Sequence, residues 1–355
     1  MSVYDINGNQ LNSIYSINET SLSSAYDING NEIFSGIPTV DPMDWSAMPS
    51  IYRRNIDSSL SYINTYIGSH TGSYAISQFN DIHMVFSQNE PNYVEYNKTQ
   101  PWSRILFLGD MANSHTEANY TSALAYMNQV VSPKIVAMGN HEYGFNYVEG
   151  NLNPTEQYKS VLSGDEVYWH NDNAHGLIYY SDDDTNNVRY IVLDYFWVTQ
   201  NQDGHSLDLD QLEWLASVME ATTSKDIIIC AHTTISPFIL VDTGEEKSSA
   251  NRITNVAKLI ELIDAFKERS TYTVNTSHDF SNCQGDFIMY ASGHYHKPGC
   301  KTTSYDFNMF TGPAMSTYEA IRGITFYLVN PLAKKIIWLI AYRDSEGIGT
   351  LEFTY

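Results

Sequence analysis

The feature that most constrains this chain is a set of five short apolar runs, each of which ends abruptly in Asp, Asn or His. In chain order the runs are SQFNDIH, RILFLGD, KIVAMGNHE, DIIICAH and DFIMYASGHYH. Such runs are typical of buried strands, and helix-period stretches such as LDLDQLEWLASVMEA separate them. The alternation predicts an α/β architecture. Because ligands of such sheets bind outside the carboxyl ends of the strands, we expect the polar run ends to form one site.

Other segments add detail to this architecture. A helix is predicted over about residues 50–68, and a second helix is predicted where Asp208 and Gln211 have capping-box spacing. Four apolar residues share one face of this second helix: Leu209, Leu212, Leu215 and Met219. The stretch DDDTNN at 182–187 predicts a hairpin, and ITFYLVN and KKIIWLIAYRD predict antiparallel strands near the end of the chain. The sheets are therefore expected to be mixed.

The first 40 residues form a separate pattern. The hexapeptide YDINGN occurs at 4–9 and again at 26–31, and an apolar/polar alternation broken by Asn-Gly is a hairpin signal. Two such units cannot bury a core alone. We therefore expect residues 1–40 to be a β-repeat leader, used for attachment or for a homo-oligomer, virion or surface assembly. A flexible leader is the alternative. Residues 45–355 form the main domain.

The composition limits the partners of the chain. Asp and Glu number 41 against 19 Lys and Arg, a formal net charge of −22, which disfavours long nucleic acids and anionic membrane surfaces. A small phosphorylated substrate is still allowed, because a bound metal can reverse the local charge. No transmembrane segment or secretory signal is recognised, which leaves a cytoplasmic or a virion-associated location open. Whether Cys283 and Cys300 pair is also open.

The chemistry of the run ends points to metal ions. The groups that converge are Asp81, His83, Asp110, Asn140, His141, His232, His294 and His296. Imidazole, carboxylate and amide oxygen suit divalent Mn, Fe, Zn or Ni, and no thiolate joins them, which argues against a structural zinc site. These groups exceed what one ion accepts and divide naturally between two. Asp110 stands alone at its strand end and is the natural bridge. Two dications outweigh the two acidic ligands, so the cluster would attract a phosphate.

The ordered set of motifs resembles the calcineurin-like metallophosphoesterases. The motifs are Asp81-Ile82-His83, Gly109-Asp110, Gly139-Asn140-His141-Glu142, His232 and Gly293-His294-Tyr295-His296. The resemblance covers about residues 70–330. It implies a four-layer α/β sandwich of two mixed β-sheets flanked by helices.

The resemblance also implies roles for these residues. Asp81, His83 and His296 would bind the first metal, and Asn140, His232 and His294 the second, with Asp110 as the bridge. His141 would contact the phosphate and assist the leaving group as a general acid, and Glu142 would orient His141. A metal-bridging hydroxide would attack the phosphorus.

The chain departs from many relatives at Asn113, where they carry Asp. We therefore expect Asn113 to lie next to the metal ligands at most, without being a ligand itself. His115 could reach substrate. We expect the histidines outside the motifs to be surface or core residues: His70, His170, His175, His205 and His278.

The resulting hypothesis is a dinuclear metal-dependent phosphoesterase with a slight preference for phosphodiesters, because basic residues are scarce near the motifs. The candidates to hold the extra charge of a monoester are Arg54, Arg104, Arg252 and Arg322. The alternative is a catalytically silent or accessory module of a virion tail or cell surface that reuses this fold.

Overall fold

The structure is a computed structural model that describes most of the main domain and short strands of the leader. The described residues are 3–4, 10–11, 24–26, 32–35, 50–83, 102–114, 116–130, 133–143, 154–162, 166–170, 176–196, 205–247, 253–301, 304–315, 323–343, 345 and 347–355. The chain divides into two compact units, residues 1–42 and 43–355.

The first unit contains two short antiparallel strand pairs. Strand β1 (Val3–Tyr4) pairs with β2 (Gln10–Leu11), and β3 (Ser24–Tyr26) pairs with β4 (Glu32–Ser35). The two strands of each pair flank one copy of the YDINGN repeat. The use of this unit for attachment remains a prediction.

The second unit alternates helices and strands. Its helices are α1 (Ser50–Ser69), α2 (Glu117–Asn128), α3 (Asn140–Tyr143), α4 (Pro154–Val161), α5 (Leu209–Glu220) and α6 (Val256–Lys267). Its strands are β5 (Tyr74–Phe79), β6 (Trp102–Leu108), β7 (Lys134–Ala137), β8 (Tyr168–Trp169), β9 (Tyr179–Asp183), β10 (Val188–Val192), β11 (Asp226–Cys230), β12 (Phe238–Leu240), β13 (Glu246–Lys247), β14 (Thr271–Thr273), β15 (Ser277–Asp279), β16 (Phe287–Ser292), β17 (Gly299–Lys301), β18 (Met309–Thr311), β19 (Gly323–Asn330), β20 (Lys335–Tyr342) and β21 (Ile348–Thr354).

Two large mixed sheets form the centre of this unit. One has six strands in the order β21-β20-β19-β5-β6-β7, and the other has nine in the order β13-β12-β17-β18-β16-β11-β10-β9-β8. Strands β5, β6 and β7 are parallel to one another, as are β10, β11, β16 and β18. The β9–β10 hairpin and the antiparallel pair β19–β20 confirm two sequence predictions. A two-stranded sheet, β14–β15, completes the unit.

The two large sheets pack face to face and helices cover their outer faces. The ring of Phe310 in β18 lies 5.5 Å from Tyr327 in β19 and 5.1 Å from Trp338 in β20. Helix α1 contacts β19, β20 and β21, whereas α6 contacts β16 and α5. Strands β5, β6, β16 and β19 are buried at every position, because one face meets the opposite sheet and the other meets a covering layer. The predicted sandwich of mixed sheets flanked by helices is confirmed.

Helix α5 shows how local sequence sets an element boundary. The Asp208 side chain accepts a hydrogen bond from the Gln211 amide at 2.7 Å, as the capping signal predicted. The Gln211 side chain does not complete a capping box, because it donates to the backbone oxygen of Asp194 and accepts from the Asp194 amide. Leu212 and Leu215 are buried, but Leu209 is 41% exposed and does not join the core.

No helix in the described part of the chain is long and apolar enough to cross a membrane.

Candidate metal centre

The five motif segments meet at the carboxyl ends of five strands drawn from both large sheets. Asp81 and His83 follow β5, Asp110 follows β6 and Asn140 follows β7, all in the six-stranded sheet. The nine-stranded sheet supplies the other three residues: His232 after β11, and His294 and His296 after β16. The sequence expectation that the run ends converge is therefore met by the topology.

Backbone conformation turns these side chains toward one another. Five non-glycine residues of the set have left-handed backbone angles: Asp81 (φ 53°), His83 (φ 53°), Asp110 (φ 51°), His294 (φ 69°) and His296 (φ 61°). This region costs on the order of 1–3 kcal/mol for a residue with a Cβ, and such residues cluster at functional sites. Neighbouring strand ends hold the turns in place, since the amide of Asp81 donates to Gly109 O at 3.1 Å and that of His83 to Asp110 O at 2.9 Å.

The first half of the cluster contains Asp81, His83, Asp110 and His296. His83 Nε2 lies 3.0 Å from His296 Nε2, and His296 Nε2 lies 3.1 Å from Asp81 Oδ1. Asp110 Oδ2 is 3.9 Å from His83 Nε2. One ligand atom from each of the four residues lies within 4.8 Å of all the others, which is the arrangement needed to surround one cation.

The second half contains Asn140, His232, His294 and again Asp110. His294 Nδ1 lies 2.9 Å from Asn140 Oδ1 and 3.1 Å from His232 Nε2. His232 Nε2 lies 3.1 Å from Asn140 Oδ1 and 3.3 Å from Asp110 Oδ2. Asp110 is thus the residue shared by both halves, the position that the sequence predicted for a bridge.

The contacts of these atoms fit bound cations. His232 Nδ1 lies 2.7 Å from the carbonyl oxygen of Leu108, and a carbonyl can only accept, so Nδ1 carries a proton and Nε2 presents a lone pair in the neutral ring. Asp81 Oδ1 is buried and lies 3.1 Å from His296 Nε2. Lone pairs packed at 3 Å repel unless a positive charge lies among them. Nitrogens about 2.1 Å from one cation and at right angles are themselves about 3 Å apart, which matches these contacts.

Burial and mutual charge set the protonation states of the cluster. Burial would raise the pKa of Asp81, but the neighbouring His296 outweighs it and lowers that pKa to about 2. Burial lowers the pKa of His83 to about 4 and that of His294 to about 3, which keeps both rings neutral. Burial would also lower the pKa of His232, yet Asp110 raises it to about 9, so this ring must lose a proton when it binds a metal. Ionised carboxylates and neutral imidazoles are the forms that bind metals.

His141 lies at the rim of this cluster. Its side chain is 24% exposed, and its Nε2 is 3.9 Å from Asp110 Oδ2. Its Nδ1 donates to the carbonyl oxygen of Asn113 at 2.5 Å, which leaves Nε2 directed away from the backbone. Asn113 therefore acts on His141 through its backbone. The His141 ring also contacts His83, with centroids 4.4 Å apart.

Glu142 holds the loops that carry the ligands. Its buried carboxylate accepts hydrogen bonds from the amides of Asp110, Ala112 and Gly139 at 2.9, 2.9 and 2.7 Å, and from the Tyr158 hydroxyl at 2.8 Å. Burial raises the pKa of Glu142, and the charge of Asp110 raises it further. The sequence predicted that Glu142 orients His141, whereas these contacts fix two strand-end loops at once.

Gly139 is required by this close packing. A Cβ atom on Gly139 would lie 2.2 Å from Asp110 Oδ1, a distance that no side chain can accept. The glycine before Asn140 in the motif therefore has a steric reason, since the shared carboxylate occupies the space of its missing side chain.

Two residues beside the cluster were not singled out by the sequence. Asn80 donates to Asp81 Oδ2 at 2.6 Å and to Pro313 O at 3.2 Å, so it orients a ligand. His205 was expected to be a surface or core residue, but its ring lies 5.0 Å from that of His294. A signal for Asn80 was its position directly before Asp81, whereas His205 had none.

Other sequence candidates lie elsewhere or outside the description. Arg104 binds the carbonyl of Asp182 near the β9–β10 turn, and Arg54 is exposed on α1. His115, Arg252 and Arg322 lie outside the described residues, as does His175. His170 lies 3.2 Å from Asp210, and His278 contacts Glu213 and Glu220. All three cysteines are free, so Cys283 and Cys300 do not pair.

A comparison with solved structures matches most of the chain to several proteins. A dimetal phosphatase from Danio rerio is 15% identical over 79% of this chain and 99% of its own, with a TM-score of 0.48. PhoD is 12% identical over 81% of this chain and 70% of its own, with a TM-score of 0.50, which supports the shared fold. Vps29 from Chaetomium thermophilum is 11% identical over 79% of this chain and 98% of its own, with a TM-score of 0.34.

No curated protein sequence matches the chain significantly. A family comparison is decisive, because the sequence model of the calcineurin-like phosphoesterases matches residues 69–298. That range includes every motif residue of the cluster and well over half of the chain. The chain therefore belongs to the calcineurin-like phosphoesterase family.

Proposed function

We propose that this protein is a metal-dependent hydrolase of phosphate esters that holds two divalent ions and prefers phosphodiesters. The observation that carries the proposal is the pair of ligand groups that share Asp110. Asp81, His83 and His296 would complete one ion site, and Asn140, His232 and His294 the other. When bound, two ions of Mn, Fe, Zn or Ni would attract the phosphoryl oxygens, lower the pKa of the attacking water and stabilise the charge of the transition state.

The residues of the chain supply the remaining steps. His141 would hold a proton on Nε2 and give it to the leaving oxygen, since its Nδ1 is committed to the Asn113 carbonyl at 2.5 Å. Glu142 and Asn80 keep the ligand side chains in position before substrate arrives, and this pre-organisation is what electrostatic catalysis needs.

The preference for diesters rests on the scarcity of cationic side chains. Charged side chains that contact the cluster include His141 beside Asp110 and His205 beside His294. The five motifs that supply the ligands contain neither Lys nor Arg. A monoester carries one more negative charge than a diester, and enzymes commonly bind that charge with Arg or Lys. The substrate class proposed is therefore a small phosphodiester.

The test compares bis(p-nitrophenyl) phosphate with p-nitrophenyl phosphate in the presence of Mn²⁺. We expect the wild type to hydrolyse the diester faster, and Asn140→Ala and His141→Ala to lose most of that activity. His70→Ala is the matched control, because His70 is exposed at the end of α1 and packs on Tyr66. If both site variants hydrolyse the substrates as fast as the wild type, the proposed chemistry is wrong.

Elemental analysis separates this function from a silent module on a virion tail or cell surface. Two ions per chain would support the enzyme, and a metal-free protein with no activity would support the silent module. Every expected ligand position carries Asp, Asn or His, which favours the enzyme.

We propose further that the leader attaches the active domain to a second copy or to a larger assembly. Deletion of residues 1–40 should then reduce the number of chains per particle, as determined from the mass in solution, while hydrolysis survives. If the shortened protein keeps the same number of chains per particle, this role is contradicted.

A further inference from the structure

We propose that His205 contacts the second ester arm of a phosphodiester and so sets the preference for diesters over monoesters. The inference rests on the proposed function and deepens it, because it assigns a specificity-determining residue to the same site.

The backbone around His205 is held by a distant segment of the chain and by the start of a helix. The carbonyl oxygen of His205 accepts a hydrogen bond from the Thr254 amide at 3.2 Å, and Ser206 forms a parallel bridge with Thr254. Helix α5 begins four residues after His205, behind the Asp208 cap. The position of His205 is therefore fixed by long-range contacts, unlike that of an ordinary surface loop residue.

The ring of His205 packs beside the second half of the metal cluster. It lies 5.0 Å from the His294 ring with planes at 69°, and 5.0 Å from the Phe196 ring with planes at 62°. His205 Nδ1 is 3.3 Å from the hydroxyl oxygen of Thr233, the residue after His232. The imidazole thus lies against the ligand His294 and against Thr233, which directly follows the ligand His232.

His205 and His141 lie beside different halves of the cluster. The His141 ring contacts His83, which belongs to the first half, at 4.4 Å. The His205 ring contacts His294, which belongs to the second half, and both His205 and His141 are partly exposed. The two imidazoles are therefore rim groups on which solvent and substrate can act, in contrast to the buried ligands Asp81 and His232.

A phosphodiester bound across the centre matches this arrangement. Its leaving arm would lie near His141, which protonates it, and its other ester arm would extend toward the second half. There His205 Nε2 can donate a hydrogen bond to the ester oxygen, because Nδ1 lies against the Thr233 hydroxyl. A monoester has no second arm, so it cannot use this contact, and His205 therefore discriminates between the two classes.

The test measures kcat and KM for bis(p-nitrophenyl) phosphate and p-nitrophenyl phosphate in the wild type, His205→Ala and His205→Phe. The phenyl ring keeps the packing against His294 and Phe196 but removes both nitrogens. We expect kcat/KM for the diester to fall about tenfold more than that for the monoester in both variants, mainly through KM, which is the effect of one lost hydrogen bond. His70→Ala should leave the ratio of the two substrates unchanged.

Three results would overturn the inference. An unchanged ratio in both variants would show that the ring does not contact the second arm. A wild-type ratio in His205→Phe with a reduced one in His205→Ala would show that packing alone accounts for the effect. In both cases the proposed function stands if the wild type is active and Asn140→Ala is not. A wild type that hydrolyses neither substrate would instead refute the function itself, and the inference with it.

Discussion

The buried carboxylate of Glu142 provides the sharpest test of how this site is held together. Its Oε2 atom accepts the amides of Asp110 and Gly139, and its Oε1 atom accepts the Ala112 amide and the Tyr158 hydroxyl. Each oxygen therefore has two donors, and three of the four donors are backbone groups that cannot turn away.

Glu142→Gln replaces one of these oxygens with a donor. With the amide nitrogen in the Oε2 position, two backbone N–H groups would be left without an acceptor. With the nitrogen in the Oε1 position only the Ala112 amide is left, because the Tyr158 hydroxyl can rotate and accept. The second orientation is favoured, so we expect a loss of about 1–3 kcal/mol in the free energy of unfolding, the cost of one buried unpaired donor. The amide of Asp110 keeps its partner, so bound metal should be retained.

Glu142→Ala removes both oxygens. Three backbone donors then lose their acceptor, a cost of about 3–9 kcal/mol, which approaches the roughly 5–15 kcal/mol that stabilises a whole domain. We expect this variant to fold poorly and to lose its metal, because the Asp110 loop is no longer fixed.

The assay combines urea unfolding with elemental analysis, and Glu213→Gln is the matched control. Glu213 also accepts two backbone amides, those of Asn275 and Thr276, but its side chain is 20% exposed and lies on helix α5. Water can replace its partners in part, so the loss should be smaller than that of Glu142→Gln. The reasoning is refuted if Glu142→Gln is no less stable than Glu213→Gln, or if Glu142→Ala unfolds with the free energy of the wild type.

Three further outcomes are expected. Gly139→Ala places a Cβ 2.2 Å from Asp110 Oδ1 and should reduce kcat about a hundredfold with loss of metal, whereas Gly68→Ala, where a Cβ meets open space, should change neither kcat nor metal content. Treatment with EDTA should abolish hydrolysis and lower the thermal midpoint in calorimetry, and Mn²⁺ should restore both, because an ion that binds only the folded state stabilises it. Burial would raise the pKa of Glu213, but hydrogen bonds from Thr276 and Asn275 lower this pKa from 4.5 to about 2. The ionised Glu213 therefore stabilises the folded state above the pKa of the unfolded chain, and this stabilisation is lost as the pH falls. In Glu213→Gln the free energy of unfolding should decline less steeply with acid than in the wild type. An equally steep decline would contradict this role of Glu213.

The sequence predicted the strands and the convergence of their ends because both follow from local patterns. An apolar run such as RILFLGD marks a strand buried on both faces, and the residue after it must lie at the sheet edge where Asp110 is found. Asp208 was recognised as a helix cap for the same reason, since its partner is three residues away.

The parts that could not be predicted depend on contacts between distant segments. Gln211 looked like a capping residue, yet its side chain binds the backbone of Asp194, and nothing in its own helix indicates that partner. His205 resembled any surface histidine until the packing of α5 and β16 brought it to His294. Glu142 was expected to act on its neighbour His141, but two of its partners are amides 30 and 32 residues earlier in the chain.

The left-handed turns at Asp81, His83, Asp110, His294 and His296 have a consequence for how such a chain can vary in length. Ordinary surface loops absorb an inserted residue by bulging into solvent. Here each of these residues lies two or four positions after the end of its strand, so an insertion or deletion would rotate the ligand side chain out of the cluster. Length differences among proteins built on this plan must therefore accumulate beyond the turns, in the segments that join each strand end to the next helix.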